Sequence, residues 1–108
     1  MWELMLETLQ AALAALTDRV WHYVARPNAV PPYLTWMEDG DNDLAAGNIH
    51  AERCWTGSVH LFTKSENDPL FTAVPRALEG IGAAWYLNSV QFEEGTGLIH
   101  YEWYWEVA

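Results

Sequence analysis

The C-terminal segment Leu98 to Val107 alternates strictly. Ile99, Tyr101, Trp103, Trp105 and Val107 fall on one side of an extended chain, and His100, Glu102 and Glu106 fall on the other. A strand this apolar along one face must lie over a core. Ala84 to Glu93 predicts the strand before it, and Glu94-Gly95-Thr96-Gly97 is a short glycine-containing connector of the kind that closes hairpins. The chain therefore ends in an antiparallel hairpin. Near its start, Trp2, Leu6, Leu9, Leu13 and Leu16 recur at spacings of four and three. That spacing predicts an amphipathic helix of about four turns laid on the sheet, with Glu3 and Glu7 complementing the dipole at its N-terminus.

Between these ends the periodicity is mostly extended. Arg19 to Ala25 is rich in Val and aromatics and predicts a first strand, ended by Arg26-Pro27-Asn28. Pro31-Pro32 sets an extended entry into a second strand, Tyr33 to Glu38. Asp39 to Gly47, with its acidic, Asn and Gly residues, reads as a solvated, mobile loop. From Asn48 to Thr63 the chain alternates over about three times the usual strand length. Ile49, Ala51, Trp55, Val59 and Leu61 share one face, and His50, Glu52, Thr56, Ser58 and His60 share the other. Gly57 in its interior marks a bulge or bend.

Asp68-Pro69 reads as an N-cap followed by Pro at the first helical position. Leu70, Phe71, Val74, Ala77, Leu78 and Ile81 give that second helix its apolar stripe, and Gly80 and Gly82 end it. Pro75 is expected to break or kink it. The order α-β-β-β-α-β-β predicts one α+β domain over residues 1–108. Its antiparallel sheet has about four or five strands with both helices on one face, and a long hairpin of the second and third strands projects beyond it.

Composition narrows the function. Hydrophobic residues are 51% and aromatics 14%, with seven Trp, which marks a folded chain. Fifteen acidic against five basic side chains give a formal net charge of -10. Such a surface repels phosphate backbones and anionic headgroups, so nucleic acid and membrane are poor partners and a basic protein is a better one. Cys54 is the only cysteine, so no intramolecular disulfide is available. No apolar run approaches the length of a membrane span, and Trp2-Glu3 stands where a secretory signal would carry a cation, so a cytosolic origin is expected.

Candidate chemistry is sparse, and the expectation is a protein with no enzymatic activity, metal or cofactor. The histidines at 22, 50, 60 and 100 lack zinc-type spacing. His100 can approach His60 across a sheet, yet surface positions suit both better. Cys54 has no base beside it in sequence. Glu93-Glu94 with Glu102 offers an acid and a base, but at a turn and on an exposed strand face, where solvation explains them. A Trp-lined face offers a small-ligand pocket as an alternative to ordinary core packing.

Several short motifs together resemble a family. Pro31-Pro32-Tyr33-Leu34-Thr35-Trp36 is similar to its Pro-Pro-Tyr strand, and Ala46-Gly47-Asn48 to the Ala-Asp-Asn that opens its long strand. Leu61-Phe62-Thr63-Lys64 is similar to the Leu-aromatic-Thr-Lys that ends that strand, and a helix with Ala77-Leu78 and a Phe92-Glu93 hairpin follow in the same order. The chain resembles the small tail-completion, or tail-terminator, neck proteins of long-tailed bacteriophages and prophages. Gly47 stands where the family has Asp, and Pro75 interrupts a helix that is usually continuous.

The resemblance implies a virion structural protein, assembled in the bacterial cytoplasm as a ring, usually a hexamer, that caps the tail tube and joins it to the head. Its partners would be copies of itself, tail-tube proteins and head-neck proteins. An acidic lumen would let DNA pass without specific binding. The implied subunit interface is the loop and distal hairpin: Asp39, Asp41, Asn42, Asp43, Leu44, Asn48, His50 and Glu52. From other classes, an acidic inhibitor or immunity protein masking a basic enzyme fits the charge, and a Trp-lined ligand-binding domain fits the aromatics.

Overall fold

A computed structural model describes residues 2–41, 44–46, 49–52 and 54–107, with side chains described for 4–40 and 54–107. The elements run α1 (Trp2–Ala14), β1 (Val20–His22), β2 (Tyr33–Asp41), β3 (Leu44–Ala46), β4 (Ile49–Glu52), β5 (Trp55–Thr63), α2 (Leu70–Gly80), β6 (Ala84–Glu93) and β7 (Leu98–Val107). Five strands form one sheet in the order β1-β2-β5-β7-β6, and β3 with β4 forms a two-stranded sheet of its own. The fold is α+β, as the pattern predicts.

One pairing departs from expectation: β1 runs parallel to β2, with Val20 opposite Leu34 and His22 opposite Trp36, so the sheet is mixed. The first strand is also shorter than the Arg19 to Ala25 predicted. Tyr23 takes a left-handed backbone, φ 74°, and its amide donates to the Trp36 carbonyl at 2.7 Å, which turns the chain off the sheet.

Both helices cover one face. Leu6, Leu9 and Leu13 of α1 and Val74 and Leu78 of α2 are buried against Leu34, Trp36, Val59, Leu61, Trp103, Trp105 and Val107. The Trp36 indole N–H donates to the Gln10 side chain of α1, and Phe71 of α2 packs on Tyr101 and Trp103. The expected cap is present: Asp68 Oδ1 accepts from the Leu70 amide at 2.9 Å, and Oδ2 accepts from the Thr63 hydroxyl at 2.6 Å. Helix α2 runs through Pro75 as one element. At the start of the second turn the ring removes a single backbone donor, and buried Val74 and Leu78 on either side hold the helix down.

The predicted bulge falls opposite Gly57. The register shifts between Glu38 and Gly40 on β2, which face Gly57 and Thr56. A Cβ on Gly57 would lie 2.1 Å from the Met37 carbonyl and 2.4 Å from the Trp105 ring. Glycine is required here because backbone and indole both close over the position.

Candidate functional site

The segment expected to be a loop and one overlong strand is built otherwise. Asp39 to Asp41 complete β2, Leu44–Ala46 is β3, and the long alternating run divides into β4 and β5. Ladder pairing shows the division. Asp41 faces Trp55, and Trp55 faces Val107. Among the described residues β3 and β4 pair with each other, Ala46 opposite Ile49. A ten-residue strand spans about 33 Å, and the molecule is 50 Å long by 25 and 23 Å.

Among the implied interface residues, Asp39 is exposed and its Oδ1 accepts from the Thr56 hydroxyl at 2.8 Å. Asp41 ends β2, and Leu44 on β3 and His50 and Glu52 on β4 belong to the ribbon itself. Asn42, Asp43 and Asn48 lie outside the described residues.

The sheet face away from the helices carries the titratable groups. Tyr33, Phe62, His100 and Gln91 stand in one row across β2, β5, β7 and β6. Tyr33 stacks on Phe62 at 4.9 Å, Phe62 stacks on His100 at 4.2 Å, and Trp21 meets Tyr33 edge-on at 5.9 Å. His60 and His100 come together across the strands, Nδ1 to Nε2 at 2.7 Å, one nitrogen donating to the other. Their outer nitrogens face Glu102 at 3.7 Å and Glu93 at 3.9 Å, and the Ser58 hydroxyl lies 3.0 Å from His60 Nε2.

These histidines are therefore half-buried members of a network, which corrects the expectation of surface positions. Burial pushes both below the ordinary value, against the carboxylates beside them, and His100 adds to the lowering at His60. Glu102 is likewise engaged rather than merely solvated, accepting from Asn88 Nδ2 at 3.1 Å and Ser89 Oγ at 3.3 Å. Ser58 is only 3% exposed, which puts its hydroxyl out of reach of a substrate. Among the described residues no group of three or more His, Cys, Asp or Glu side chains is placed to hold a metal ion. No helix among them is long and apolar enough to cross a membrane.

A second cluster closes the β1 edge. His22 stacks between Tyr23 and Trp36 at 3.8 and 3.9 Å, and Glu38 accepts from His22 at 2.7 Å and from the Tyr23 hydroxyl at 2.5 Å. Burial pushes the Glu38 carboxyl up, but the Tyr23 and His22 hydrogen bonds together outweigh it and hold the group below its ordinary value.

The tryptophans divide by role. Trp36, Trp103 and Trp105 are core, and the Trp105 indole N–H finds no acceptor among the described residues. A cleft of about 420 Å³ lies where β5, β6 and β7 meet the ribbon end, lined by Asp39, Thr56, Trp85, Tyr86, Tyr104 and Glu106. It is shallow and open.

The surface that sequence reasoning missed is β6. Every β6 side chain but Ser89 and Glu93 is exposed. Trp85, Leu87, Val90 and Phe92 share the face of Trp105, Trp103, Tyr101 and Ile99, their ladder partners on β7; α2 reaches the first of them, where Glu79 accepts from the Trp85 indole N–H at 3.0 Å, and Leu87, Val90 and Phe92 remain exposed. A signal was present: residues 80–92 hold no charged side chain, the longest such run in the chain. No protein-family model matches the chain, and no curated protein matches it.

Proposed function

We propose that this chain is a structural assembly protein of the tail-completion class, a subunit that closes the end of a phage-type tail tube as a ring and joins it to the head. The observation carrying this reading is the β3–β4 ribbon, which forms a two-stranded sheet apart from the main one and, among the described residues, pairs only with itself. A two-stranded ribbon is marginal alone in water, and contact with another subunit gives it a third strand or an apolar support. The motifs from Pro31 to Trp36 and from Leu61 to Lys64 fall on β2 and β5, the two strands that carry it. Charge agrees with passage of DNA through the ring, because a net charge of -10 leaves no patch able to release counterions from a duplex.

Deleting Asp41 to Ala45 should leave circular dichroism and melting nearly intact while abolishing ring formation and, in a phage lysate, the joining of heads to tails. Infectious particles completed normally by that variant would overturn the reading. The isolated protein should also show no shift of duplex DNA at about 150 mM salt, where sequence-independent binding by charge neutralisation has a Kd of about 1 to 100 μM; a shift at sub-micromolar protein would overturn the charge argument.

A further inference from the structure

We infer that the free edge of β6 is the acceptor surface for the ribbon of a second copy of this chain. The inference rests on the ring reading and names the two halves of the contact.

The edge is lightly protected. Natural sheets blunt an exposed edge with charge, proline, short strands or bulges. β6 is ten residues long, and Ala84 to Phe92 contains neither a charged residue nor a proline. Its one irregularity is the register shift between Leu87 and Ser89, which leaves Asn88 unpaired and splits the edge into Ala84–Leu87 and Ser89–Glu93. Each half is four or five residues, a length that suits β3 or β4, at three and four residues.

The apolar stripe strengthens the case. Leu87, Val90 and Phe92 are 40%, 53% and 63% exposed. Phe71, itself exposed, stacks over Tyr101 and Trp103, the ladder partners of Val90 and Leu87, and so extends the stripe onto α2. Contiguous exposed apolar area of this kind marks an interaction surface.

The occupant follows from charge. A basic partner would seek open carboxylates, whereas Ala84 to Phe92 carries none of its own and the two that reach it, Glu79 and Glu102, are engaged by Trp85, Asn88 and Ser89. Two copies at -10 each repel, so they can approach closely only through uncharged segments. The ribbon supplies the other one: Leu44-Ala45-Ala46 and Ile49-His50-Ala51 carry no fixed charge, with Glu52 at the end of β4 opposite Leu44, and among the described residues the two strands pair with each other alone. Ribbon onto edge is a main-chain strand addition with apolar side chains giving specificity. Because donor and acceptor are different patches, the contact is heterologous, and its repetition closes a ring.

The test uses two complementary variants of the full chain. Val90→Lys with Phe92→Lys blocks the acceptor, and Ala45→Lys with Ala46→Lys blocks the donor. Sedimentation velocity at about 0.5 M salt, where surface repulsion is screened, should show the wild type associating with concentration and each variant monomeric with an unchanged circular dichroism spectrum. Mixed one to one, the variants retain one intact donor and one intact acceptor between them, so the mixture should sediment as a dimer and no larger.

A β6 variant that assembles like the wild type, or a mixture that stays monomeric while the wild type assembles, would overturn the inference and leave the ring reading standing on another surface. A wild type monomeric at every concentration overturns the proposed contact. Normal joining of heads to tails by the deletion variant described above is the separate result that would remove the ring reading itself.

Discussion

β7 and β6 are neighbours in one sheet, paired residue for residue, and they carry the same kind of face. Trp103 of β7 stands opposite Leu87 of β6, and Trp105 stands opposite Trp85. Yet Trp103 is 1% exposed and Leu87 is 40% exposed. The difference lies in the layer above them. Helices α1 and α2 lie over β2, β5 and β7 and touch the outer strand at Trp85 through Glu79, while Leu87, Val90 and Phe92 stay exposed. Alternation along a strand tells which residues share a side, while the element lying over that side decides whether they are buried. An apolar stripe on an uncovered edge is energetically unspent, and the useful question is what satisfies it.

The largest effect should come from the covered strand. Trp103→Ala removes a fully enclosed side chain and should cost about 3 to 5 kcal/mol. Leu87→Ala on the same ladder rung should cost no more than about 1 kcal/mol in the monomer, as exposed positions do. Urea denaturation of the two variants measures the contrast. Equal losses would mean that something covers β6 within one chain, and the comparison would fail.

Next in size is Gly57→Ala. The added methyl would meet the Met37 carbonyl and the Trp105 ring well inside contact distance, and overpacking of this sort costs roughly 1 to 3 kcal/mol. Gly80→Ala, where nothing lies within 4 Å of the new methyl, is the matched control. A shift of the denaturation midpoint at Gly80 as large as at Gly57 would show that the close approach of β2 to β5 does not decide the cost.

Much of the fold was legible because its elements carry their own periodicity. The seven helices and strands of the predicted order all appear, and Asp68 caps α2 as its spacing suggests. The misses are non-local. Nothing near Val20 announces parallel pairing, which is set where Leu34 meets it across residues 23–32. The run from Asn48 to Thr63 alternates throughout, and its division shows only in the pairing, where Ile49 meets Ala46 and Trp55 meets Asp41 and Val107. His60 and His100 are 40 positions apart, so their contact exists only once β5 and β7 are in register. The β6 stripe was visible as an uncharged run, but its exposure depends on where the helices stop.

The smallest expected effect concerns pH, and it separates the open face of the sheet from its β1 edge. Burial lowers His60 and His100 from the ordinary value of 6.5 in the folded protein. The unfolded chain takes up these protons near pH 6.5, so it binds more protons than the native state and stability falls as pH drops below that value. Glu93, Glu102 and the Ser58 hydroxyl face the pair and soften the loss by favouring the charged rings. Glu38, lowered from 4.5 by its Tyr23 and His22 hydrogen bonds, contributes stability that is present above about pH 4.5 and lost as pH falls through its folded value. Two acid windows should therefore appear in a plot of denaturation midpoint against pH. His60→Gln with His100→Gln should flatten the upper one and leave the lower, while Glu38→Gln should do the reverse. An upper window that survives the double histidine variant would show that the pair on the open face is not the group that titrates there.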